Sequence, residues 1–296
     1  MDGTGGDPSA GARAAGPATG DGVFPLRPRT SYVCFPTLHA HPLTVAGQLR
    51  LPQAGDGPLA AVVIVHGSSG VDGRGEALAA ALNGGGIATL EIDMWAPRRI
   101  VHPLDRPGHT AETLPDAFGA LRFLGAHPEV DPARIGIAGF SWGGIVTMLS
   151  ATRRYAEEVA GDGGERFAAH APFYPVCWSY GRRPGYEFRG LTGAPVLIQA
   201  GASDTYDRPT GCQEMVAALP EADRRHVRVV VYEGATHAFD RLQPAVTVRD
   251  PHANEGAGGE VRFEPNPAVT ARAHRETVAF FRRALGSAGA DGGVAP

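Results

Sequence analysis

Cysteine is scarce in this chain, with Cys34, Cys177 and Cys212 the three among 296 residues. The count is odd, the spacings are wide and no C-x-x-C occurs, so neither a disulfide framework nor a zinc site is expected. The expectation is free, buried thiols in a reducing compartment. Long hydrophobic runs are also missing. No stretch of about 18 apolar residues occurs, so no transmembrane helix and no membrane partner are expected. Residues 1–22 contain no Val, Leu, Ile or Phe and so lack the apolar core of a secretory signal. A cytoplasmic location is the expectation. Positive charge is not in excess either, since the formal net charge is -4. That argues against a nucleic-acid partner, which would need a basic patch or stripe.

What is present is ordinary for a globular protein. Hydrophobic residues make up 43% and charged residues 20%, enough for a sizeable core. Nine of the first 22 residues are Gly or Pro, a composition that cannot offset its ordering entropy. Residues 1–22 are expected to be a disordered tail or the product of a misassigned start, and 286–296 a second disordered tail. Residues 23–285 read as one domain.

Within that domain strand and helix patterns alternate. Residues 43–50 alternate apolar and polar, as a half-exposed strand does. Residues 60–65 (AAVVIV) form a short continuous apolar run, the mark of a strand buried on both faces of a parallel sheet. Residues 74–83 are rich in Ala and Leu and stop at Gly84, which suits a left-handed C-cap. Strands follow at 86–93, 134–140, 167–173, 194–200 and 227–233, with helices at 112–127, 142–154, 211–219 and 268–285. The last helix shows an apolar face at Val269, Ala273, Phe281 and Leu285. Such alternation specifies an α/β fold, a mostly parallel sheet with helices on both faces. Residues 98–110 and 241–266 fit neither pattern. Long loops of that kind are functional or disordered.

The sharpest motif is Gly139-Phe140-Ser141-Trp142-Gly143, a G-x-S-x-G with a strand leading in and a helix leading out. The chemistry needs a turn so tight that the serine hydroxyl stands exposed, and flanking glycines remove the side chains that would collide there. A serine is a weak nucleophile and needs a base held by an acid. His237, in Glu233-Gly-Ala-Thr-His-Ala-Phe-Asp240, is the candidate base. Asp204, in Gly201-Ala-Ser-Asp-Thr-Tyr-Asp207, is the candidate acid, with Asp207 as its rival. Both follow strand ends, where the loops of an open α/β sheet build its site. The backbone N–H of Trp142 and that of Ser68, in His66-Gly67-Ser68-Ser69-Gly70, are candidate oxyanion donors.

Together these motifs resemble the dienelactone hydrolase family of α/β-hydrolases. The resemblance runs from about Leu43 to Leu285. It is carried by residues 65–70, 93–98 and 128–144, by Phe173-Tyr-Pro175, and by the two segments that hold Asp204 and His237. It implies an eight-stranded sheet, no cofactor, no metal, and a Ser or Cys nucleophile in a triad. Members that open dienelactones carry cysteine at the nucleophile and a glutamate near the oxyanion loop. Here Ser141 stands at the first position and Gly67 or Ser68 at the second, which implies a different substrate.

Other residues carry weaker expectations. Arg98, with Arg99 beside it, is a candidate to hold a substrate carboxylate. Trp178 is a candidate pocket residue, and Tyr180 lines a pocket or packs in the core. His39 and His41 read as a surface turn rather than a metal site, His102 and His109 as loop residues that could border the pocket, and Asp72-Gly73 as a turn. The function expected is hydrolysis of a small ester or lactone, with that small molecule as the partner and the oligomeric state left open. A peptidase or acyltransferase on the same triad, or a binding protein on a hydrolase scaffold, are the alternatives.

Overall fold

The computed structural model describes Met1, residues 27–53 and residues 57–286. The expected tails at 1–22 and 286–296 lie outside the described residues, apart from Met1 and Gly286. One eight-stranded sheet organises the chain, in the order β1-β2-β4-β3-β5-β6-β7-β8. The strands are β1 (Arg29–Pro36), β2 (Thr44–Leu51), β3 (Leu59–Val65), β4 (Ala88–Asp93), β5 (Val130–Phe140), β6 (His170–Phe173), β7 (Val196–Gly201) and β8 (Val227–Tyr232). β1 pairs antiparallel with β2 and β2 with β4, and from β4 to β8 every pairing is parallel.

The apolar run in β3 explains why it sits in the middle. All seven of its residues are buried. Ala61, Val63 and Val65 face one layer, with α2 (Leu114–Gly125), α3 (Trp142–Ser150) and α4 (Arg153–Ala160). Val62 and Ile64 face the other, with α1 (Gly73–Gly84) and α8 (Pro267–Ala284). A strand covered on both faces has no polar side to alternate, hence the continuous run. Each fully buried Val or Ile contributes roughly 1.5–3 kcal/mol.

The helices start and stop for local reasons. Asp72 caps α1, its carboxylate accepting from the Arg74 N–H at 3.1 Å. The left-handed glycine expected at Gly84 is instead Gly86, at φ 80°, because Gly84 still belongs to the helix. Pro267 opens α8, and Asn266 accepts from the Val269 N–H. Buried Ala273 and Phe281 match the expected stripe, joined by Thr277 and Phe280.

Several elements differ from the sequence reading. β1 is an edge strand exposed on most of its length, so its pattern carries no strong period. The segment 241–266 contains a hairpin, β9 (Val246–Asp250) with β10 (Gly259–Phe263), joined by α7 (Ala253–Gly256), a kinked turn with Asn254 and Glu255 at positive φ. Its strands lie outside the main sheet. Between β7 and the hairpin stand α5 (Gly211–Ala217) and α6 (Glu221–Arg224).

The thiol expectation is corrected. Cys177 and Cys212 form a disulfide, their Cα atoms 5.1 Å apart across 35 residues of sequence. The turn after β6 and the start of α5 meet above adjacent strands, a proximity that spacing does not reveal. Cys34 is exposed on β1 rather than buried. Among the described residues, no helix is long and apolar enough to cross a membrane.

Candidate active site

The site forms at the C-terminal ends of the parallel strands. β5 ends at Phe140 and α3 begins at Trp142, leaving Ser141 alone to make the turn at φ 51°, ψ -107°. A non-glycine residue in that region is strained, and the surroundings must hold it there. They do so through close backbone packing. A Cβ on Gly139 would come within 2.2 Å of the Gly143 carbonyl oxygen, and one on Gly143 within 2.2 Å of the Val65 carbonyl oxygen. The Ser141 N–H also donates to the Phe173 carbonyl at 3.0 Å, fixing the turn to the end of β6.

Ser141 Oγ lies 2.9 Å from His237 Nε2. His237 Nδ1 lies 2.7 Å from Asp204 Oδ2. His237 and Asp204 are both buried. The second Asp204 oxygen accepts from the Tyr206 N–H at 2.9 Å, so both oxygens are committed. The His237 ring is walled by Tyr174, Tyr206 and Phe263, at centroid distances of 4.7, 4.5 and 5.7 Å. Such an arrangement can move a proton from the serine hydroxyl to the imidazole while the carboxylate fixes the ring and its tautomer.

Asp207 does not share that position, nor is it solvated. Its carboxylate accepts from the N–H groups of Cys177 at 2.7 Å and Trp178 at 2.6 Å. Burial, and then the charge of Asp204, push its carboxyl up to about 7 against the pull of those donors. Its work is to hold the turn at 177–179 that carries Trp178 to the cavity wall.

The loop after β3 is fixed from outside. Burial draws the His66 imidazole down to about 4 and keeps it neutral. Its Nε2 accepts from the Met94 N–H at 3.0 Å, so Nδ1 carries the hydrogen and donates to the Gly67 carbonyl at 2.8 Å. Trp95 Nε1 donates to the Ser68 carbonyl at 3.0 Å. Gly67, Ser68 and Trp142 line the cavity beside Ser141. Among the described residues, the N–H groups of Ser68 and Trp142 meet no backbone acceptor.

These groups open into one cavity of about 890 Å³. Trp178 and His102 line it as the sequence suggested they could. Arg98 does not, and its expected role is corrected. Its guanidinium turns inward and grips Asp116 at 2.6 and 3.0 Å, with two further bonds to the Met94 and Glu112 carbonyls. Asp116 is fully buried at the start of α2, and a buried carboxylate captures the nearest guanidinium. Arg99 is exposed in a left-handed turn. Tyr180 is buried in the core, and His109 packs on Tyr186. His39 bonds Thr37 and the Glu112 carbonyl. The cavity residues missed by sequence reasoning include Tyr206, Arg106, Arg183 and Arg241. Arg106 and Arg241 stand in the two unassigned loops, which were the available signal. Among the described residues, the one His/Cys/Asp/Glu grouping close enough to hold a metal ion is Cys177, Asp207 and Cys212, whose sulfurs are bonded to each other.

A strained serine between a parallel strand and a helix, within reach of a histidine and an aspartate from later strand ends, defines an α/β-hydrolase. The dienelactone hydrolase family model matches residues 46–285, and the chain belongs to that family. Two uncharacterized proteins of Mycobacterium tuberculosis, from strains CDC 1551 and H37Rv, are each 31% identical over 196 residues. The match takes in 62% of this chain and 64% of theirs, so the chain spans less than two thirds of their length. Among solved structures, a dienelactone hydrolase from Anabaena variabilis has a TM-score of 0.57 at 18% identity, covering 88% of this chain and 100% of its own. Thermogutta terrifontis esterase 2, phosphorylated by paraoxon, has a TM-score of 0.59 at 16% identity, covering 89% and 96%. An esterase from Pyrobaculum calidifontis has a TM-score of 0.58 at 16% identity, covering 86% and 85%. At such identities the likeness is one of fold.

Proposed function

We propose that the protein hydrolyses small carboxylic esters or lactones through an acyl-enzyme on Ser141. The supporting observation is the continuous hydrogen-bonded line Asp204, His237, Ser141, which ends in the large cavity. Ser141 Oγ attacks the ester carbonyl as His237 Nε2 takes its proton. Asp204 holds the Nδ1 hydrogen and stabilises the imidazolium. The N–H groups of Trp142 and Ser68 receive the developing oxyanion, each contributing roughly 3 kcal/mol to the barrier reduction. His237 then protonates the departing alkoxide. Water enters, gives a proton to His237, and attacks the acyl carbonyl, and Ser141 recovers its proton as the acid leaves.

Hydrolysis is favoured over acyl transfer because exposed residues such as Leu104 and Arg249 line the cavity, so water reaches the acyl group. The test is titration with paraoxon followed by peptide mapping, beside turnover of simple aryl esters. Stoichiometric labelling at Ser141 that abolishes esterase activity is expected. Labelling elsewhere, or full activity in Ser141→Ala, would overturn the assignment. Aminolysis outpacing hydrolysis in the presence of added amines would move the reading to acyl transfer.

A further inference from the structure

Ser141 at φ 51° has two strained neighbours in the site, Tyr174 at φ 38° and Ala238 at φ 53°. Tyr174 directly follows β6, and Ala238 directly follows His237. A non-glycine backbone in that region persists only where the surroundings hold it. Here a side-chain bridge joins the two turns. The Tyr174 hydroxyl donates to Asp240 Oδ1 at 2.6 Å and accepts from Arg74 Nη1 at 3.4 Å. Asp72, the cap of α1, accepts from Arg74 Nη2 at 2.7 Å. The line Asp72, Arg74, Tyr174, Asp240 therefore runs from the loop after β3 to the loop after β8. It also passes close to the nucleophile, since a Cβ on Gly67 would stand 3.5 Å from Arg74 Nη2 and 3.6 Å from Ser141 Cβ.

Arg74, Tyr174 and Asp240 are all buried, and the acyl-enzyme chemistry uses none of them. Packing alone does not call for them, because apolar residues of similar volume commonly replace a buried ionic group without loss of stability. Asp240 is costly in a second way. Its Oδ2 meets no donor among the described residues. Burial pushes its carboxyl up, and the charge of Arg74 and the Tyr174 hydroxyl pull it back down. Position explains why such a group is kept. Asp240 lies three residues after His237, and the Tyr174 ring stands edge-on to the imidazole at 4.7 Å. The Tyr174 N–H donates to the Gln199 carbonyl at 2.6 Å, and the preceding Phe173 carbonyl accepts from the Ser141 N–H at 3.0 Å. One residue thus touches the turn next to the nucleophile, the ring of the base and the loop that carries the base. Asp72 already pairs with Arg74, so Asp240 adds a second negative charge to the network.

Resting on the ester-hydrolase reading above, we propose that Tyr174 and Asp240 are positioning residues for His237. Their hydrogen bond holds the imidazole in line with Ser141 Oγ, and the Asp240 carboxylate favours the imidazolium that forms when Ser141 gives up its proton. Arg74 aims the link by donating to the Tyr174 oxygen, which turns the hydroxyl hydrogen toward Asp240.

The experiment measures kcat and KM for p-nitrophenyl acetate across pH in the full chain and in Asp240→Asn, Tyr174→Phe and the double variant. A hydrogen bond to a charged group is worth a factor of about ten or more, so each single variant should lose about that much kcat. Neither side chain lines the cavity, so KM should stay unchanged. The double variant should be about as slow as either single one, because both remove the same link. The acid limb of kcat should move to lower pH in Asp240→Asn, on the order of half a unit, since a negative charge that favours the imidazolium is gone. The other groups around the imidazole stay in place, namely Asp204 at Nδ1, Ser141 at Nε2, Tyr206 with its partner Asp250, and Asp207, whose carboxyl feels the His237 charge. So do Arg74, Asp72 and Arg241 on the side of Asp240. Tyr174→Phe keeps the ring and so provides the test should Asp240→Asn fail to fold. Unchanged kcat in Tyr174→Phe, losses confined to KM, or losses that multiply in the double variant overturn the proposal and leave ester hydrolysis standing. The proton resonance of the Asp204–His237 hydrogen bond supplies a readout without turnover. Its titration at lower pH in Asp240→Asn than in the wild type supports the proposal, and an unmoved titration overturns it. No turnover of any ester, with Ser141 untouched by paraoxon, overturns the hydrolase reading and the proposal together.

Discussion

The Tyr206 hydroxyl donates to Asp250 Oδ2 at 2.7 Å, and through that bond the β9–β10 hairpin holds the ring lying against His237. The same hairpin reaches the acid loop through the Asn254 and Glu255 N–H groups, which donate to the Thr205 and Tyr206 carbonyls. Tyr206→Phe keeps the ring and removes the tether. It should lower kcat by a few-fold and expose residues 246–263 to limited proteolysis. Tyr206→Ala removes the wall itself and should cost far more. If Tyr206→Phe changes neither kcat nor the proteolysis rate, the hairpin plays no part in positioning the histidine.

Asp204 and Asp207 stand three residues apart with separate duties. Asp204→Asn removes the acceptor for His237 Nδ1 and should lower kcat by a factor on the order of 10⁴, as tautomer loss does in other triads. Asp207→Asn keeps the shape of the carboxyl and one acceptor for the N–H groups of Cys177 and Trp178. Its effect should fall on KM, by a few-fold, because Trp178 lines the cavity. Steady-state kinetics on both variants separates the duties. A kcat collapse in Asp207→Asn alone would reverse them.

Ser141 and His237 should act as one unit. The double variant Ser141→Ala, His237→Ala should be little slower than Ser141→Ala alone, since triad losses of roughly 10⁶ do not multiply. Pre-steady-state assays on all three variants measure this. Independent, multiplicative losses would mean the two residues serve different steps.

How much of this was readable in the sequence follows from how local each signal is. β3 announced itself because burial on both faces requires an unbroken apolar run. Ser141 announced itself because the turn needs glycine at positions 139 and 143, and that requirement is written within five residues. Asp204 and His237 were singled out because each follows a recognisable strand, and the fold brings both into line with Ser141. Arg98 misled for the opposite reason. Its partner Asp116 is 18 residues away, and no local pattern shows that a buried carboxylate waits there. The Cys177–Cys212 pair was hidden similarly, since the two strand ends that bring it together are neighbours only in the folded sheet. The hairpin at 246–263 is largely exposed, so its alternation has no buried face to record.

Stability should depend on pH through buried histidines. Burial draws His170 down to about 3 and His274 to about 4. Their folded values lie below the unfolded value of about 6.5, so between the two the unfolded chain binds more protons. Their contribution is full above that unfolded value and is lost as pH falls through the window toward the folded values. Asp207 has the opposite sign. Raised to about 7, it favours the fold at low pH and loses that contribution as pH rises from about 4 to its folded value. His170→Leu removes one histidine term. Urea unfolding from pH 8 to 4 should show the variant gaining on the wild type below pH 6.5, by up to about 1.4 kcal/mol per pH unit. A difference that stays flat across that range would show that His170 is not held neutral by burial.

The disulfide gives a prediction with two readouts. Cys177 opens the turn at 177–179, and Cys212 stands in the first turn of α5. The bond closes a loop of 35 residues, which in the chain-entropy account contributes about 3–4 kcal/mol. Reduction by dithiothreitol, or Cys212→Ser, should lower the melting temperature by about 5–10 °C for a domain of this size. The turn keeps a second tether, since Asp207 still accepts from the N–H groups of Cys177 and Trp178. Ser141, His237 and Asp204 are held by other contacts. The reduced enzyme should therefore keep most of its kcat and show a raised KM, because the wall that loosens carries Trp178. Calorimetry and ester kinetics, with and without reductant, measure both. An unchanged melting temperature would mean that the two sulfurs are not bonded in solution, and a kcat loss matching that of Ser141→Ala would mean that the bond supports the reacting groups themselves.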